Sequence, residues 1–279
     1  MSDRAAVALD RDVLRVAGPE AAAYLQGQLS QDVLALAAGA SAWSLILQPQ
    51  GKVDAWVRVS RVADDEFVID VDAGWGEATI ARLTRFKLRT KADIDPLPWR
   101  CVAVRGPSAQ PFAVPPGSVL AGAEWALIGG FDALGPEPAA PAGVAIADLD
   151  AYDVRRIEAG LPRMGAELTD ATIPAEAGVV PSSVSFTKGC YTGQELVARI
   201  DSRGGNVPRR IVGARLASVV DRGTTVTVTG RDVGTVTSVA AHPHGGAVAL
   251  VLLRRDVEVP ADAVTDGVAT ALGPLPLVS

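Results

Sequence analysis

The sequence predicts an α+β protein that ends in a separate all-β unit. Three observations carry this reading. The N-terminal part mixes strand-like alternation with helix-like spacing, and its neighbouring strands are joined by hairpin turns. A second helical pattern follows two stretches rich in proline and small residues. From Arg209 onward, strand follows strand, as in a small barrel or sandwich.

The first elements lie in VLRVAGPEAAAYLQGQLSQDVLALAAGA. Val13 to Val16 alternate like a strand, and Pro19 fits the first turn of a helix, where its missing N–H costs little. Ala22, Leu25, Leu29, Val33 and Leu36 recur at helical spacing, with Gly27 interrupting the run. AWSLILQPQGKVDAWVRVSRVADDEFVIDVD reads as three strands joined by a PQGK turn and an ADDE turn. GWGEATIARLTRFKLRT is helical, with Ile80, Leu83 and Phe86 or Lys87 on one side, and WRCVAVRG is a strand around Cys101. PSAQPFAVPPG and GPEPAAPAG are loops or boundaries. DLDAYDVRRIEAGLP is a helix that Gly160 can end. The later strands are RRIVGARL, TTVTVTG, DVGTVTSVA and AVALVLLRR.

With 279 residues the chain can build two or three cores. Its balance of 48% hydrophobic and 21% charged residues is that of a soluble globular protein. A net charge of −6 argues against general attraction to nucleic acid. The start, MSDRAAVALDRD, is polar and lacks the apolar core of a signal peptide. No run approaches the roughly 18 apolar residues of a membrane span. A cytoplasmic location is therefore expected, with Cys101 and Cys190 as free thiols in a reducing compartment.

The chemistry concentrates in SFTKGCYTGQELVARI, residues 185–200. Thr192 and Glu195, followed by an apolar run, have the spacing of a capping box, with Thr192 at the N-cap and Glu195 at N3. Cys190 would then lie two residues before a helix N-terminus. The partial positive charge there, together with Lys188, would favour a thiolate. Gly189 and Gly193 would permit close approach of backbone or ligand. A plain packing cysteine needs none of these neighbours.

This segment resembles the signature K-G-C-[FY]-x-G-Q-E of the YgfZ family, the folate-binding YgfZ/GcvT group, and matches it fully from Lys188 to Glu195. AYLQGQLSQDV at 23–33 is similar to the family's N-terminal segment. RRIEAGLP at 155–162 and PAEAG at 174–178 are similar to a region shared with glycine-cleavage T-proteins. The resemblance implies a three-domain ring around a central opening that binds tetrahydrofolate. The expected parts are a discontinuous first domain (1–48 plus 148–205), a ferredoxin-like second domain (49–147) and a C-terminal β-barrel (206–279). It implies support for assembly or repair of iron–sulfur clusters in client enzymes, through the signature cysteine.

The resemblance assigns roles residue by residue. Cys190 is the working thiol, able to touch iron or cluster sulfur or to shuttle a thiol. One cysteine cannot hold a cluster, which normally takes four ligands, so no resident metal is expected. Glu158 matches the glutamate that reads the pterin edge, where a carboxylate can accept two parallel hydrogen bonds; the plainer reading is a helix charge paired with Arg155. Lys188, Tyr191, Gln194 and Arg199 are expected to contact folate. Arg203, Arg209 and Arg210 add a basic rim suited to its carboxylates. Asp54, in QGKVDAWV, aligns without gaps with the catalytic aspartate of T-proteins and could assist proton transfer. That opens an alternative, a folate-dependent aminomethyltransferase or demethylase; otherwise Asp54 is a polar hairpin residue. A third possibility is a plain folate store. His242 and His244 lack a third ligand and read as a loop. Gly51-Lys52 has no nucleotide-binding pattern. The five tryptophans line a core or a pocket. Expected partners are folate and iron–sulfur client or assembly proteins, with the chain a monomer.

Overall fold

The computed structural model describes residues 4–277. β1 (Ala5–Leu9) and β2 (Arg11–Ala17) lead into α1 (Ala21–Gln28). A meander of β3 (Ser41–Leu47), β4 (Val53–Ala63) and β5 (Glu66–Asp72) follows, then α2 (Gly76–Lys87), β6 (Asp93–Leu97) and β7 (Arg100–Arg105). β8 (Val119–Ala123), β9 (Gly130–Gly135) and the short β10 (Ala145–Ile146) precede α3 (Leu149–Ala159). A 3₁₀ turn at Pro174–Ala177, α4 (Val180–Ser183) and α5 (Gln194–Ser202) complete the mixed part. The last six strands are β11 (Arg209–Leu216), β12 (Thr225–Val228), β13 (Arg231–Ala241), β14 (Ala247–Arg254), β15 (Ala261–Thr265) and β16 (Val268–Gly273).

These strands make three sheets. One runs β3-β4-β5-β2-β6, a second runs β10-β1-β7-β9-β8, and the third is a closed barrel, β11-β14-β13-β12-β15-β16. Closure leaves the last unit without an exposed edge and decides between the barrel and the sandwich that its sequence allowed. Among the described residues no helix is long and apolar enough to cross a membrane.

Strand pairing corrects the expected division at residues 48 and 49. That cut falls in the turn between β3 and β4, whose backbones pair from Ser41↔Ser60 to Leu47↔Val53. β5 pairs in turn with β2 along its whole length. The meander therefore belongs with the N-terminal strand, and the boundary between sheets falls within the chain at Asp10 and again between β6 and β7. The reason is burial: Leu14, Val16, Leu45, Val57, Phe67 and Ile69 share one core with α1 and α2.

α1 is shorter than its apolar spacing predicts. It stops at Gln28, one residue past Gly27. Leu29 and Val33 are still buried, but as loop residues. The Leu29 N–H still reaches the Leu25 carbonyl, while Leu29 forms a bridge with Ile46 and the Ser30 N–H donates to the Leu45 carbonyl. The edge of β3 thus captures the chain that would have made the next turn. α3 ends as expected, with Gly160 left-handed at φ 72°. Asp148 caps its start by accepting from the Ala151 N–H at 2.7 Å.

A charged cluster links the first two sheets. Arg58 on β4 donates to Asp70 on β5 at 3.0 Å and to Asp132 on β9 at 2.7 Å. Arg105 on β7 pairs with Asp132 at 2.6 Å, and Arg11 on β2 pairs with Asp70. Arg58 and Asp70 have no exposed surface. Burial by itself would push the Asp132 carboxyl up, but Arg105 and Arg58 outweigh it and hold it well below the usual carboxylate range. Cys101 packs at the same junction with Val13, Val68 and Leu134, and burial pushes its thiol up.

Candidate functional site

The two most distinctive sequence segments, 23–33 and 185–195, fold onto each other. α1 ends without a basic residue in its last turn, so its final carbonyls lack both hydrogen-bond partners and a compensating charge. The loop before α5 supplies both. The Lys188 ammonium donates to the carbonyls of Gln26 at 2.5 Å, Leu29 at 2.6 Å and Gln31 at 3.1 Å. The Thr192 N–H donates to the Gly27 carbonyl, and the Ser185 N–H to the Ser30 carbonyl. Gln26 completes the platform from below, accepting from the Val33 N–H at 2.8 Å and donating to Asp32 at 3.0 Å.

This arrangement bears on two expectations. The hydrogen bonds of the Lys188 ammonium go to three carbonyls, with the Tyr191 ring centroid 5.0 Å away. Burial lowers its pKa to about 8, against a raising influence from Asp32. Thr192 does not cap α5: the N-cap is Gly193, left-handed at φ 81°, with no side-chain cap. The cause is tertiary. A Cβ at Gly193 would lie 2.4 Å from the Gln48 carbonyl oxygen in the β3–β4 turn, and one at Gly51 would lie 2.5 Å from the Leu196 Cβ. Two glycines let the hairpin turn and the start of α5 interlock. Gln194 turns inward, its Oε1 accepting from the Tyr191 N–H at 3.1 Å. Arg199 is exposed in the last turn of α5. Cys190 is the exposed, free thiol at the crest of this loop.

Asp54 stands at the start of β4 and is already paired. Arg82 on α2 donates to its Oδ2 at 2.8 Å, to Gln28 Oε1 at 3.2 Å and to the Leu47 carbonyl at 3.0 Å. The guanidinium lies over Phe86, 4.0 Å from the ring centroid.

A cavity of about 410 Å³ opens between the β8–β9 loop, the end of α3, the 3₁₀ turn, α4 and the barrel. Trp125, Gly160, Glu176, Pro181, Ile211 and Leu275 are in its wall. Trp125 donates its indole N–H to the Ala159 carbonyl at 3.1 Å. It meets Trp56 edge-on at 5.8 Å, and Trp56 stacks on Trp43 at 4.1 Å. Glu176 is 1% exposed. Its two carboxylate oxygens accept from Arg209 and from the Ile173 N–H, each at 3.1 Å.

Glu158 does not join this wall; its neighbours Ala159 and Gly160 do. Its carboxylate meets Arg155 at 3.4 Å and, from the barrel, His242 at 3.5 Å and Arg215 at 3.9 Å. Sequence reasoning missed Glu176 and Trp125. The PAEAG segment carried a signal for the first, but Trp125 is one of five tryptophans and nothing local distinguishes it. The two histidines do sit in a loop. Among the described residues no cluster of His, Cys, Asp and Glu could hold a metal ion.

No family model matches this chain. A protein of Haemophilus influenzae, described as uncharacterized, is 30% identical over 196 residues, covering 70% of this chain and 67% of that one. The iron–sulfur cluster assembly factor IBA57 homolog, mitochondrial, of Pyricularia oryzae is 29% identical over 220 residues. That alignment covers 70% of this chain but 53% of the relative, so the chain spans about half of that protein. The crystal structure of glycine cleavage system aminomethyltransferase T from Bartonella henselae matches with a TM-score of 0.82 at 19% identity, over 99% of this chain and 86% of that one. At that identity the likeness concerns the fold.

Proposed function

This chain belongs to the YgfZ/GcvT-like family, and from that premise we propose that it is a tetrahydrofolate-binding accessory protein for the assembly or repair of iron–sulfur clusters. The observation that carries the proposal is Cys190: an exposed thiol on a loop that five hydrogen bonds described above tie to the end of α1 and the turn after it. A structural cysteine would be buried, as Cys101 is. An exposed one on a braced loop can reach iron or sulfur held by a second protein. A single thiolate supplies one of the four ligands a cluster normally needs, so Cys190 makes a passing contact and the cluster resides elsewhere.

The cavity suits a reduced pterin. Trp125 offers an aromatic wall, and Glu176 a buried carboxylate with acceptor capacity left after its two bonds. Glu176 thereby takes over the role expected of Glu158, whose carboxylate is committed to the α3–barrel contact. Tetrahydrofolate, when bound, supplies a carrier for a one-carbon unit. Arg209 orients the Glu176 carboxylate through its 3.1 Å hydrogen bond, and Trp125 presents its ring to the cavity.

The test is complementation of a strain lacking the gene by wild type, Cys190→Ala and Asp54→Asn, read as iron–sulfur enzyme activity under oxidative stress. Failure of Cys190→Ala with rescue by Asp54→Asn is the expected result. The reverse pattern overturns the proposal in favour of a one-carbon transferase.

A further inference from the structure

The end of α1 is built like a small cation site, and the chain fills it with its own side chain. The carbonyl oxygens of Gln26, Leu29 and Gln31 converge on one point, which the Lys188 ammonium occupies from about 160 residues away in sequence. All three are peptide oxygens. Nearby carboxylates are engaged otherwise: Asp32 accepts from Gln26 and from the Ala35 N–H. The site thus holds an ammonium through the carbonyl dipoles at a helix C-terminus, with three N–H donors matched to three acceptors and the Asp32 charge nearby adding to the attraction.

We propose that Lys188 is the positioning residue of the thiol loop: its ammonium is the cation of a three-carbonyl cage, and occupancy of that cage holds Cys190 in place. The proposal builds on reading Cys190 as the working group, but it concerns loop order and is tested without any activity assay. Three features support it. Gln26 and Gln31 flank the turn that α1 makes into β3, so the cage is preformed by backbone already fixed at Leu29–Ile46 and Ser30–Leu45. Beyond the cage, the loop is tied to α1 and the turn after it by two backbone bonds, Thr192 N–H to the Gly27 carbonyl at 3.3 Å and Ser185 N–H to the Ser30 carbonyl at 3.0 Å. The ammonium is half-buried, and burial brings its pKa to about 8, so the cage holds a charge that alkaline solution removes. A neutral amine keeps two N–H donors for three acceptors and turns a lone pair toward a carbonyl.

The experiment is hydrogen exchange by mass spectrometry on the purified full chain, following peptides across residues 185–195. In Lys188→Ala, which removes three charge-assisted hydrogen bonds, loop amides corrected for intrinsic rate should exchange at least about tenfold faster, the effect of losing even one such bond. Added n-propylammonium restores the three carbons and the ammonium that this variant lacks, and it should return the loop to wild-type protection in a saturable way. Propanol, which fills the same channel without charge, and tetramethylammonium, which has no N–H, should not. Wild type should show loop exchange that rises, beyond the intrinsic effect, as pH passes through about 8. If Lys188→Ala leaves loop exchange unchanged, or if propanol rescues it as well as propylammonium does, the cage is not what holds the loop. Should that variant fail to fold, the wild-type pH profile decides, and a flat corrected profile overturns the proposal. Loss of complementation by Cys190→Ala is independent of all these outcomes, so either reading can fail alone.

Discussion

Arg82 Nε donates to Asp54 Oδ2 at 2.8 Å, and the same guanidinium reaches Gln28 and the Leu47 carbonyl. One side chain from α2 thus ties together the start of β4, the end of α1 and the end of β3. Asp54 serves first as half of a structural pair. Arg82→Ala should therefore destabilise the protein by about 2–3 kcal/mol, the range for removing hydrogen bonds to a charged group. Urea denaturation measures this, and an unchanged midpoint would sink the assignment.

Asp54→Asn keeps the shape and an acceptor oxygen for Arg82 while removing the charge. It should cost about 1 kcal/mol and leave complementation intact. Loss of complementation with unchanged stability would instead identify Asp54 as a proton-transfer group.

The thiols should separate cleanly. Iodoacetamide on the native chain is expected to modify Cys190 and spare Cys101, which is 2% exposed and whose thiol burial pushes up. Peptide mass spectrometry reads the site directly, and equal labelling of both would contradict the fold around β7.

Ligand entry into the cavity should quench tryptophan fluorescence, because Trp125 is in its wall and couples edge-on to Trp56. Titration with tetrahydrofolate should give a saturable change that shrinks in Trp125→Phe. Glu176→Gln should weaken binding about tenfold, as expected when one charge-assisted bond to the ligand is lost. Wild-type affinity in Glu176→Gln would point the pterin edge elsewhere, with Glu158→Gln as the next variant.

The charged junction predicts an acid-sensitive seam. Arg58→Met leaves Asp70 and Asp132 buried without a shared partner, and should cost about 3–5 kcal/mol. Asp132 titrates well below its unfolded value. Its stabilisation is complete above an unfolded pKa of about 3.9 and is lost as pH falls from there toward the folded value. The stability gap between wild type and Asp132→Asn should therefore be largest near neutral pH and narrow below about pH 4. A gap that stays constant across that range would mean the pair contributes only packing.

Much of the local structure was legible in residue order. The meander of β3, β4 and β5, the helix closed by Gly160 and the final run of strands follow from period, turn residues and caps. These signals act over a few residues, so they survive without knowledge of the rest of the chain. The local readings that failed did so where a distant element intervened. α1 loses its last turns because β3 takes their backbone groups. Thr192 loses its cap because Gly193 must pass the Gln48 carbonyl. The division at residue 48 came from the family resemblance, and it cuts the PQGK hairpin turn whose two strands pair across it.

By itself, the sequence determined the fold class, the family and the choice of Cys190 over Cys101, since composition, strand spacing and an eight-residue signature are all written in order along the chain. Only the tertiary structure decided the partners of the charged candidates. Lys188 turns to three carbonyls, Glu158 is drawn into the α3–barrel contact, and Glu176 takes the cavity wall. A charge or a carboxylate interacts with whatever lies within a few ångströms, and those partners come from 33 to 162 residues away in the chain.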